Sequence, residues 1–154
     1  MNFSKIKSQN QISKIVKKLK KSGESVIFTN GCFDILHIGH IRLLEKAKSF
    51  GDILIVGLNS DASVRIIKGK NRPVIPENER AELLAAVLPV DFVVIFSQPT
   101  PYELIKKIMP DVLVKGSDWK TGEIVGDKFA KKVRRIPLVR GCSATKIIEK
   151  LKNL

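Results

Sequence analysis

The stretch TNGCFDILHIGHIRLL, residues 29–44, decides how the rest of this 154-residue sequence is interpreted. The apolar run at residues 26–28 before it predicts a buried strand, and the apolar positions of residues 41–48 after it recur at helical spacing. A strand, a glycine-bearing turn and a helix form a common phosphate site, because the first free N–H groups of a helix point at an anion. Gly31 removes a side chain where a ligand could approach the backbone.

Two histidines, His37 and His40, are the only ones in the chain, and they lie three residues apart on one face of the first helical turn. The pair can be incidental to a structural turn. It can also belong to a metal site with Cys32 or Asp34 as a third ligand, although zinc sites usually offer more ligands at close spacing. We favour a third interpretation, phosphoryl or nucleotidyl transfer, in which imidazolium donors beside helix N–H groups stabilise charge growing on phosphate oxygens.

Residues 31–40, GCFDILHIGH, resemble the GxFDxxHxGH signature of the cytidylyltransferase-like nucleotidyltransferases. The resemblance continues in three later stretches: KG at 68–69 with RPV at 72–74, VKGSDW at 114–119, and GCSAT at 141–145. Together these stretches are most similar to the adenylyltransferase domains that make ADP-heptose from heptose 1-phosphate. The resemblance covers the chain from about residue 26 to its last residue.

This resemblance implies an enzyme that transfers AMP from ATP to a sugar 1-phosphate, D-glycero-β-D-manno-heptose 1-phosphate, with Mg²⁺ arriving together with ATP. It implies catalytic roles for His37, His40 and Lys68. The residues implied in nucleotide binding are Thr29, Asn30, Gly31, Cys32, Phe33, Asp34, Gly39, Lys115, Gly116, Asp118, Arg140, Ser143 and Thr145. Those implied in binding the acceptor are Lys70, Arg72 and Arg80, and no residue is implied as a dedicated metal ligand.

Several of these residues also have plainer interpretations. Ser143 is first of all a helix N-cap, and Asp34 can serve only to hold its loop through backbone hydrogen bonds. The basic stretch 68–73 is a connector by composition, whereas the resemblance makes it a cationic lid over the phosphates, which we favour. Arg140 flanks the Ser143 turn, where a cation could neutralise the leaving pyrophosphate.

The available side chains limit which types of reaction the protein can catalyse. The sequence has no GxxxxGK[ST] loop and no Cys-His or Ser-His-Asp set for a covalent nucleophile. A sugar phosphate needs no base, because its oxygen is already anionic, so direct in-line attack on the α-phosphate of ATP fits. Trp119 stands where the heptose enzymes more often carry tyrosine, and Ala144 interrupts a commoner Ser-Thr-Thr run. Glycerol-3-phosphate cytidylyltransferase and FAD synthetase are therefore the alternative enzymes.

The charge balance admits a non-enzymatic alternative, a basic regulator that binds nucleotides or nucleic acid. Lys and Arg number 28 against 15 Asp and Glu, a net charge of +13 that also suits nucleotides and sugar phosphates. The densest basic run, residues 14–21, is interpreted as the solvated face of an amphipathic helix, and aromatic residues make up only 6%. We therefore expect no nucleic-acid partner.

Further features of the sequence bear on the cellular location of the protein, on its cysteines and on its protein partners. No apolar run is long enough for a membrane span, and the lysine-rich N-terminus lacks the apolar middle of a signal peptide, so we expect a cytoplasmic protein without a membrane partner. Cys32 and Cys142 do not make a disulfide framework. The resemblance implies a homodimer. It also implies a separate sugar kinase acting upstream, because related proteins often carry a kinase domain for which this chain is too short.

Strands alternating with helices predict a single-domain, open parallel α/β sheet of the Rossmann-like kind, with helices on both faces. Residues 1–24 are expected to form a helical extension and residues 25–154 the nucleotidyltransferase domain. A short helix is predicted over 127–133, a last strand over 136–139, and a capping box at 100–103. Ligands of such sheets bind beyond the carboxyl ends of the strands, where the helix starts near His37 and Ser143 are expected to meet.

Overall fold

The computed structural model describes residues 3–116, 124–137 and 139–154. Within them, one five-stranded parallel sheet has the strand order β3-β2-β1-β4-β5. The strands are β1 Val26–Gly31, β2 Ile53–Asn59, β3 Phe92–Phe96, β4 Val112–Gly116 and β5 Lys132–Ile136. The α-helices are α1 Gln9–Lys21, α2 Ile38–Lys48, α3 Asp61–Lys68, α4 Glu77–Ala86, α5 Tyr102–Ile108 and α6 Ala144–Lys152. The predicted parallel α/β architecture is confirmed. Among the helices of these described residues, none combines the length and apolarity that crossing a membrane requires.

Helices cover both faces of the sheet with their apolar sides. Both faces are apolar because successive side chains of each buried strand point in opposite directions and both sets are buried. On one face, Ile27 of β1 packs with Leu44 of α2 and Leu84 of α4. On the other face, Phe28 of β1 packs with Ile12 of α1 and with residues of α5. Both layers are fully buried, so the sheet forms a rigid base for the loops at its carboxyl edge.

Strand β1 lies at the centre of the sheet, and the strand order reverses beside it. β2 and β3 lie on one side of β1, β4 and β5 lie on the other, and β1 pairs with both β2 and β4. In doubly wound sheets the ligand crevice opens where the order reverses. The signature loop, residues 32–37 between β1 and α2, leaves the sheet at this point.

The N-terminal segment belongs to the packed core. Ser8 caps α1 and forms a capping box with Gln11, while Ile12 is fully buried against the sheet. Ahead of α1, Ile6 bridges to Val93, which is on the outer strand β3. The helical character predicted for this segment is present, and the boundary predicted after residue 24 stays a prediction.

Three predictions near element ends are wrong. The segment predicted as a helix over 127–133 forms only a 3₁₀ turn at Asp127–Phe129, and the last strand is Lys132–Ile136 rather than 136–139. Strand β5 lies at an edge of the sheet and is mostly exposed, so it lacks the apolar pattern of a central strand. The capping box at 100–103 is also not formed, because α5 begins after Pro101 without a side-chain cap.

Candidate active site

A cleft of about 320 Å³ opens at the carboxyl ends of β1 and β4. The signature loop, the start of α6 and the end of α3 contribute its walls. It is lined by most of the residues predicted for catalysis or nucleotide binding: Thr29, Asn30, Gly31, Cys32, Phe33, Asp34, His37, Gly39, His40, Lys68, Lys115, Gly116, Ser143 and Thr145. The fold therefore brings together side chains that the sequence places at opposite ends of the chain.

His37 forms the start of α2, and the helix fixes the orientation of its ring. It is the N-cap of α2, and its Nδ1 accepts a hydrogen bond from the backbone N–H of Gly39 at 3.1 Å. Because Nδ1 is the acceptor, the neutral ring carries its proton on Nε2, which can donate to a ligand. Burial lowers the pKa of His37 and so favours this neutral form.

The ring of His40 stacks on that of His37, with centroids 3.9 Å apart and an interplanar angle of 22°. On its other side, the ring of Phe33 lies 5.0 Å away. Burial lowers the pKa of His40 to about 4; the charges of His37 and Lys68 act in the same direction, and a hydrogen bond with the Ile35 backbone opposes them. The expected imidazolium donors are therefore neutral N–H donors near pH 7 in the free protein. A bound polyphosphate would favour the protonated forms again.

Two lysines contribute positive charge to the cleft. Lys115, at the end of β4, is nearly buried, and its Nζ donates to Oδ1 of Asn30 at the end of β1. This contact ties together the two strands between which the sheet order reverses. Lys68 is the exposed last residue of α3 and lines the same cleft. The cleft therefore has a fixed cation at its base and a more mobile one at its rim.

The start of α6 meets the start of α2 across this cleft. Ser143 is the N-cap of α6, as its plainer interpretation predicts, and its Oγ accepts a backbone N–H of the first turn at 3.1 Å. A Cβ at Gly39 would lie 3.0 Å from the His37 ring and 3.4 Å from the Cβ of Cys142. A side chain here would require these neighbours to shift by a few tenths of an ångström, so glycine favours the close approach. The first turns of both helices consequently border one volume, with Thr145 beside them.

Asp34 holds the 69–75 segment, the connection between α3 and α4, against the signature loop. Its carboxylate is only 1% exposed, and Oδ1 accepts the backbone N–H groups of Val74 at 2.7 Å and Ile75 at 3.1 Å. Oδ2 lies 2.9 Å from Nε of Arg72. This geometry fits the interpretation that Asp34 organises its loop. Lys70 lies exposed on the same segment, and its role in binding the acceptor stays a prediction.

Arg80 is fully buried, which corrects the prediction that it binds the acceptor. Its Nε donates to the carbonyl oxygen of Ile75 at 2.8 Å. Its Nη1 donates to the carbonyl oxygens of Cys32 at 2.6 Å and Asn59 at 2.9 Å. Its Nη2 donates to Oδ1 of Asp61 at 2.6 Å. The guanidinium thus ties together the loops that follow β1, β2 and α3 beneath the cleft.

The structure gives less information on the remaining residues that the sequence singled out. Arg140 lies exposed in the turn before α6, and its contact with pyrophosphate stays a prediction. Asp118 and Trp119 lie outside the described residues. Cys32 and Cys142 are free thiols, and burial raises the pKa of Cys32, so that its sulfur stays protonated at neutral pH. The raised pKa of Cys32 is the opposite of the low pKa that marks a reactive thiol.

A second compartment of about 460 Å³ adjoins the first and shares Asn30, Lys68 and Lys115 with it. Asn59 and Thr100 add polar groups to its wall, and sequence reasoning missed both. Asn59 ends β2, so its place at the carboxyl end of a strand beside β1 was a usable signal. Thr100 carries no comparable signal, because it lies in a connection whose path the sequence does not reveal.

Comparison with known proteins decides the family. Residues 28–150 match the sequence model described as cytidylyltransferase-like. The chain belongs to the cytidylyltransferase-like family. The resemblance inferred from the signature is therefore confirmed.

Relatives of this cytidylyltransferase-like chain include much longer proteins. The bifunctional protein HldE of Nitratiruptor sp. is 55% identical over 148 residues, which are 96% of this chain and 32% of that protein. The bifunctional protein HldE of Sulfurimonas denitrificans is 56% identical over 148 residues, which are 96% of this chain and 31% of that protein. The chain thus spans about a third of the length of these curated relatives.

Solved structures share the fold. The lipopolysaccharide core biosynthesis protein of Thermoplasma volcanium matches with a TM-score of 0.66 at 31% identity, over 76% of this chain and 99% of that one. The pantoate-β-alanine ligase of Francisella tularensis matches with a TM-score of 0.66 at 21% identity, over 97% of this chain and 72% of the ligase. The second similarity shows the fold alone.

The described residues of this cytidylyltransferase-like chain do not form a metal site. Within residues 3–116, 124–137 and 139–154, no group of three or more His, Cys, Asp or Glu side chains is arranged to hold an ion. The carboxylate of Asp34 is already bonded to two backbone N–H groups and lies against Arg72. The geometry therefore does not favour the zinc interpretation with Cys32 or Asp34 as third ligand.

Proposed function

We propose that this chain is an adenylyltransferase that transfers AMP from ATP to D-glycero-β-D-manno-heptose 1-phosphate, giving ADP-heptose and pyrophosphate. The observation that carries the proposal is the meeting of two helix N-termini, at His37 and Ser143, in one cleft where the sheet order reverses. The positive ends of both helix dipoles favour a polyphosphate there. The HldE relatives and the lipopolysaccharide core biosynthesis protein support a sugar-nucleotide product. The stretches RPV at 72–74 and KGSD at 115–118 support heptose as the sugar.

The proposed reaction is one in-line displacement at phosphorus. An anionic oxygen of the sugar 1-phosphate forms a bond to the α-phosphorus of ATP. The bond from that phosphorus to the oxygen bridging to the β-phosphate breaks, and its electron pair leaves with pyrophosphate. No proton has to be removed from the nucleophile. The protein therefore contributes positioning and stabilisation of the charge on the phosphate oxygens.

Each named side chain has a part in that stabilisation. The Nε2–H group of His37 is available because its Nδ1 is already bonded to Gly39, and His40 is held beside it by ring stacking. Lys68 and Lys115 line both compartments, so they lie where the α-phosphate and the sugar phosphate would meet. We accordingly assign the 320 Å³ cleft to ATP and the 460 Å³ compartment to the acceptor.

Mg²⁺ enters this proposal as the counter-ion of ATP, since cations that bind polyphosphates usually keep few protein ligands. The described residues provide no carboxylate cluster to receive it. No step of the proposed mechanism is routed through a protein-bound metal.

A substrate panel tests the proposed function. Pyrophosphate release is measured for the purified chain with Mg²⁺ and three pairs: ATP with heptose 1-phosphate, CTP with glycerol 3-phosphate, and ATP with FMN. We expect the first pair to be strongly preferred. A preference for CTP, the specific alternative that the family description raises, would replace adenylyl by cytidylyl transfer. No release from any pair, together with salt-dependent duplex binding, would favour the basic regulator instead.

We also propose that the chain acts as a homodimer in the cytoplasm, without a nucleic-acid or membrane partner. A sugar 1-phosphate is made by phosphorylation of a sugar, so we propose that a sugar kinase activity acts upstream. Light scattering after size-exclusion chromatography tests the dimer. A mass equal to one chain would contradict it.

A further inference from the structure

The 69–75 segment is tied to the signature loop at two levels. At the lower level, the buried guanidinium of Arg80 bonds the carbonyl oxygens of Ile75 and Cys32. At the upper level, Asp34 accepts two backbone N–H groups from the segment and pairs with Arg72. The upper level lies closer to solvent, because the Arg72 side chain is 14% exposed whereas Arg80 is completely buried.

Two cations that line the site, Lys68 and Arg72, lie directly before the segment and within it. Lys68, directly before it, lines both the ATP cleft and the acceptor compartment. Arg72, within it, lines an adjoining groove of about 780 Å³ together with Lys68 and Thr145. The segment begins at Gly69, with φ of +96° and nothing within 4 Å of where a Cβ would stand. Its N–H donates to the carbonyl oxygen of Arg65 at 2.9 Å, and its own carbonyl oxygen accepts the N–H of Arg72 at 3.1 Å. The contacts of Asp34 with the segment add to these bonds in fixing the position of Arg72.

The carboxylate of Asp34 cannot itself act on a ligand in this arrangement. It is buried to 1% exposure, one oxygen accepts two N–H groups, and the other lies against a guanidinium. A carboxylate bonded in this way is a strong anchor, because hydrogen bonds to a charged acceptor are about twice as strong as neutral ones. Its influence on the reaction must pass through the residues it holds.

We propose that Asp34 is a positioning residue: with Arg72 it fixes the 69–75 segment over the signature loop, so that Lys68 and Arg72 face the phosphates. This inference rests on the proposed function for its kinetic consequence. It differs from the sequence-based expectation that Asp34 binds nucleotide. Arg72 also lines the adjoining groove, and only its Nε is paired with Asp34 in the ion pair.

The test compares Asp34→Asn and Arg72→Gln with a matched control, Asp111→Asn. Asp111 also accepts a backbone N–H, that of Val26 at 2.8 Å, and pairs with Lys131 at 2.7 Å, but at the opposite end of the sheet. Hydrogen exchange at the amides of residues 74 and 75 is measured in the protein without nucleotide. Both site variants should exchange there about 10-fold faster than wild type, and the control should not.

The kinetic arm uses the same samples. Both site variants should lose about 10-fold or more in kcat, because the cations are present but misplaced, and the double variant should lose no more than the worse single. The control should lose stability but keep kcat/KM within about two-fold of wild type. If Asp34→Asn does not fold, Arg72→Gln alone tests the inference. It removes the Arg72–Asp34 ion pair by changing its more exposed member.

Three results would overturn the inference: unchanged exchange at residues 74 and 75, faster exchange with normal kcat, or multiplicative losses in the double variant. The last result would mean that Arg72 acts on substrate independently of Asp34. Exchange in the free protein does not depend on which substrate is used. A wild-type chain that is inactive on the whole panel but shows the expected exchange pattern would therefore refute the proposed function and leave the anchoring by Asp34 standing.

Discussion

Replacing His40 by glutamine should make the stability of the protein less sensitive to acid. The ordinary pKa of a histidine is 6.5, and burial lowers that of His40 to about 4 in the folded protein. Between these two values the unfolded chain binds a proton at this residue and the folded chain does not. The stability due to the neutral ring is therefore fully present above pH 6.5 and is lost as the pH falls toward 4.

The size of the effect follows from the same shift. A pKa difference of one unit between the folded and unfolded states corresponds to about 1.4 kcal/mol in the free energy of unfolding. Lowering the pKa of His40 to about 4 therefore corresponds to at most roughly 3 kcal/mol. The ring is only partly buried, and solvent screening reduces the interaction. We expect a loss of about 1–2 kcal/mol that is specific to His40.

Urea unfolding of wild type and His40→Gln at several pH values between about 7.5 and 4.5 measures this loss. The free energy of unfolding of wild type should fall by about 1–2 kcal/mol more than that of the variant over this range. Carboxylates titrate in both proteins and cancel in the difference. Parallel curves would refute the reasoning, because they would mean that the folded protein does not hold His40 neutral.

Three further predictions concern individual site residues. His40→Ala should lower the single-turnover rate about 10²–10³-fold with little change in ATP affinity, since its donor acts on charge that grows in the transition state, and a rate within a few-fold of wild type would remove the catalytic role. Lys68→Ala should lower kcat/KM more than Lys70→Ala, because Lys68 lines the clefts, and wild-type kinetics in both would make the segment a mere connector. Arg80→Leu should lower the free energy of unfolding by about 3–5 kcal/mol in urea, because it strands Asp61 and three carbonyl groups, whereas normal stability with a raised KM for the acceptor would restore the substrate-binding role.

The central strands could be predicted closely because strands covered on both faces are continuously apolar. The apolar run at residues 26–28 predicted a buried strand, which the structure has at Val26–Gly31. The edge strand β5 could not be predicted in the same way. Its charged residues, such as Lys132 and Arg134, are typical of a solvated segment. The segment is a strand because its backbone pairs with β4, which its own sequence does not indicate.

The site was predictable where a local motif and the topology agree. The positions of His37 and Ser143 follow from strand–turn–helix patterns together with the rule that carboxyl ends of parallel strands share an edge. The burial of Arg80 could not be inferred. Its partners include carbonyl groups of Cys32 and Asn59, which come close only after β1 and β2 have paired, and no sequence pattern marks a carbonyl as an acceptor.

The two edges of the sheet are protected against unwanted strand addition in different ways. On the β3 side, Lys7 donates its backbone N–H to the carbonyl oxygen of Val93 at 2.9 Å, so the N-terminal segment of the chain itself covers part of the edge. On the β5 side, the exposed side chains of Lys132 and Arg134 would bring like charges together if a second copy tried to pair there. Part of the net charge of +13 therefore keeps folded molecules from aggregating through their sheets, a task separate from attracting phosphates.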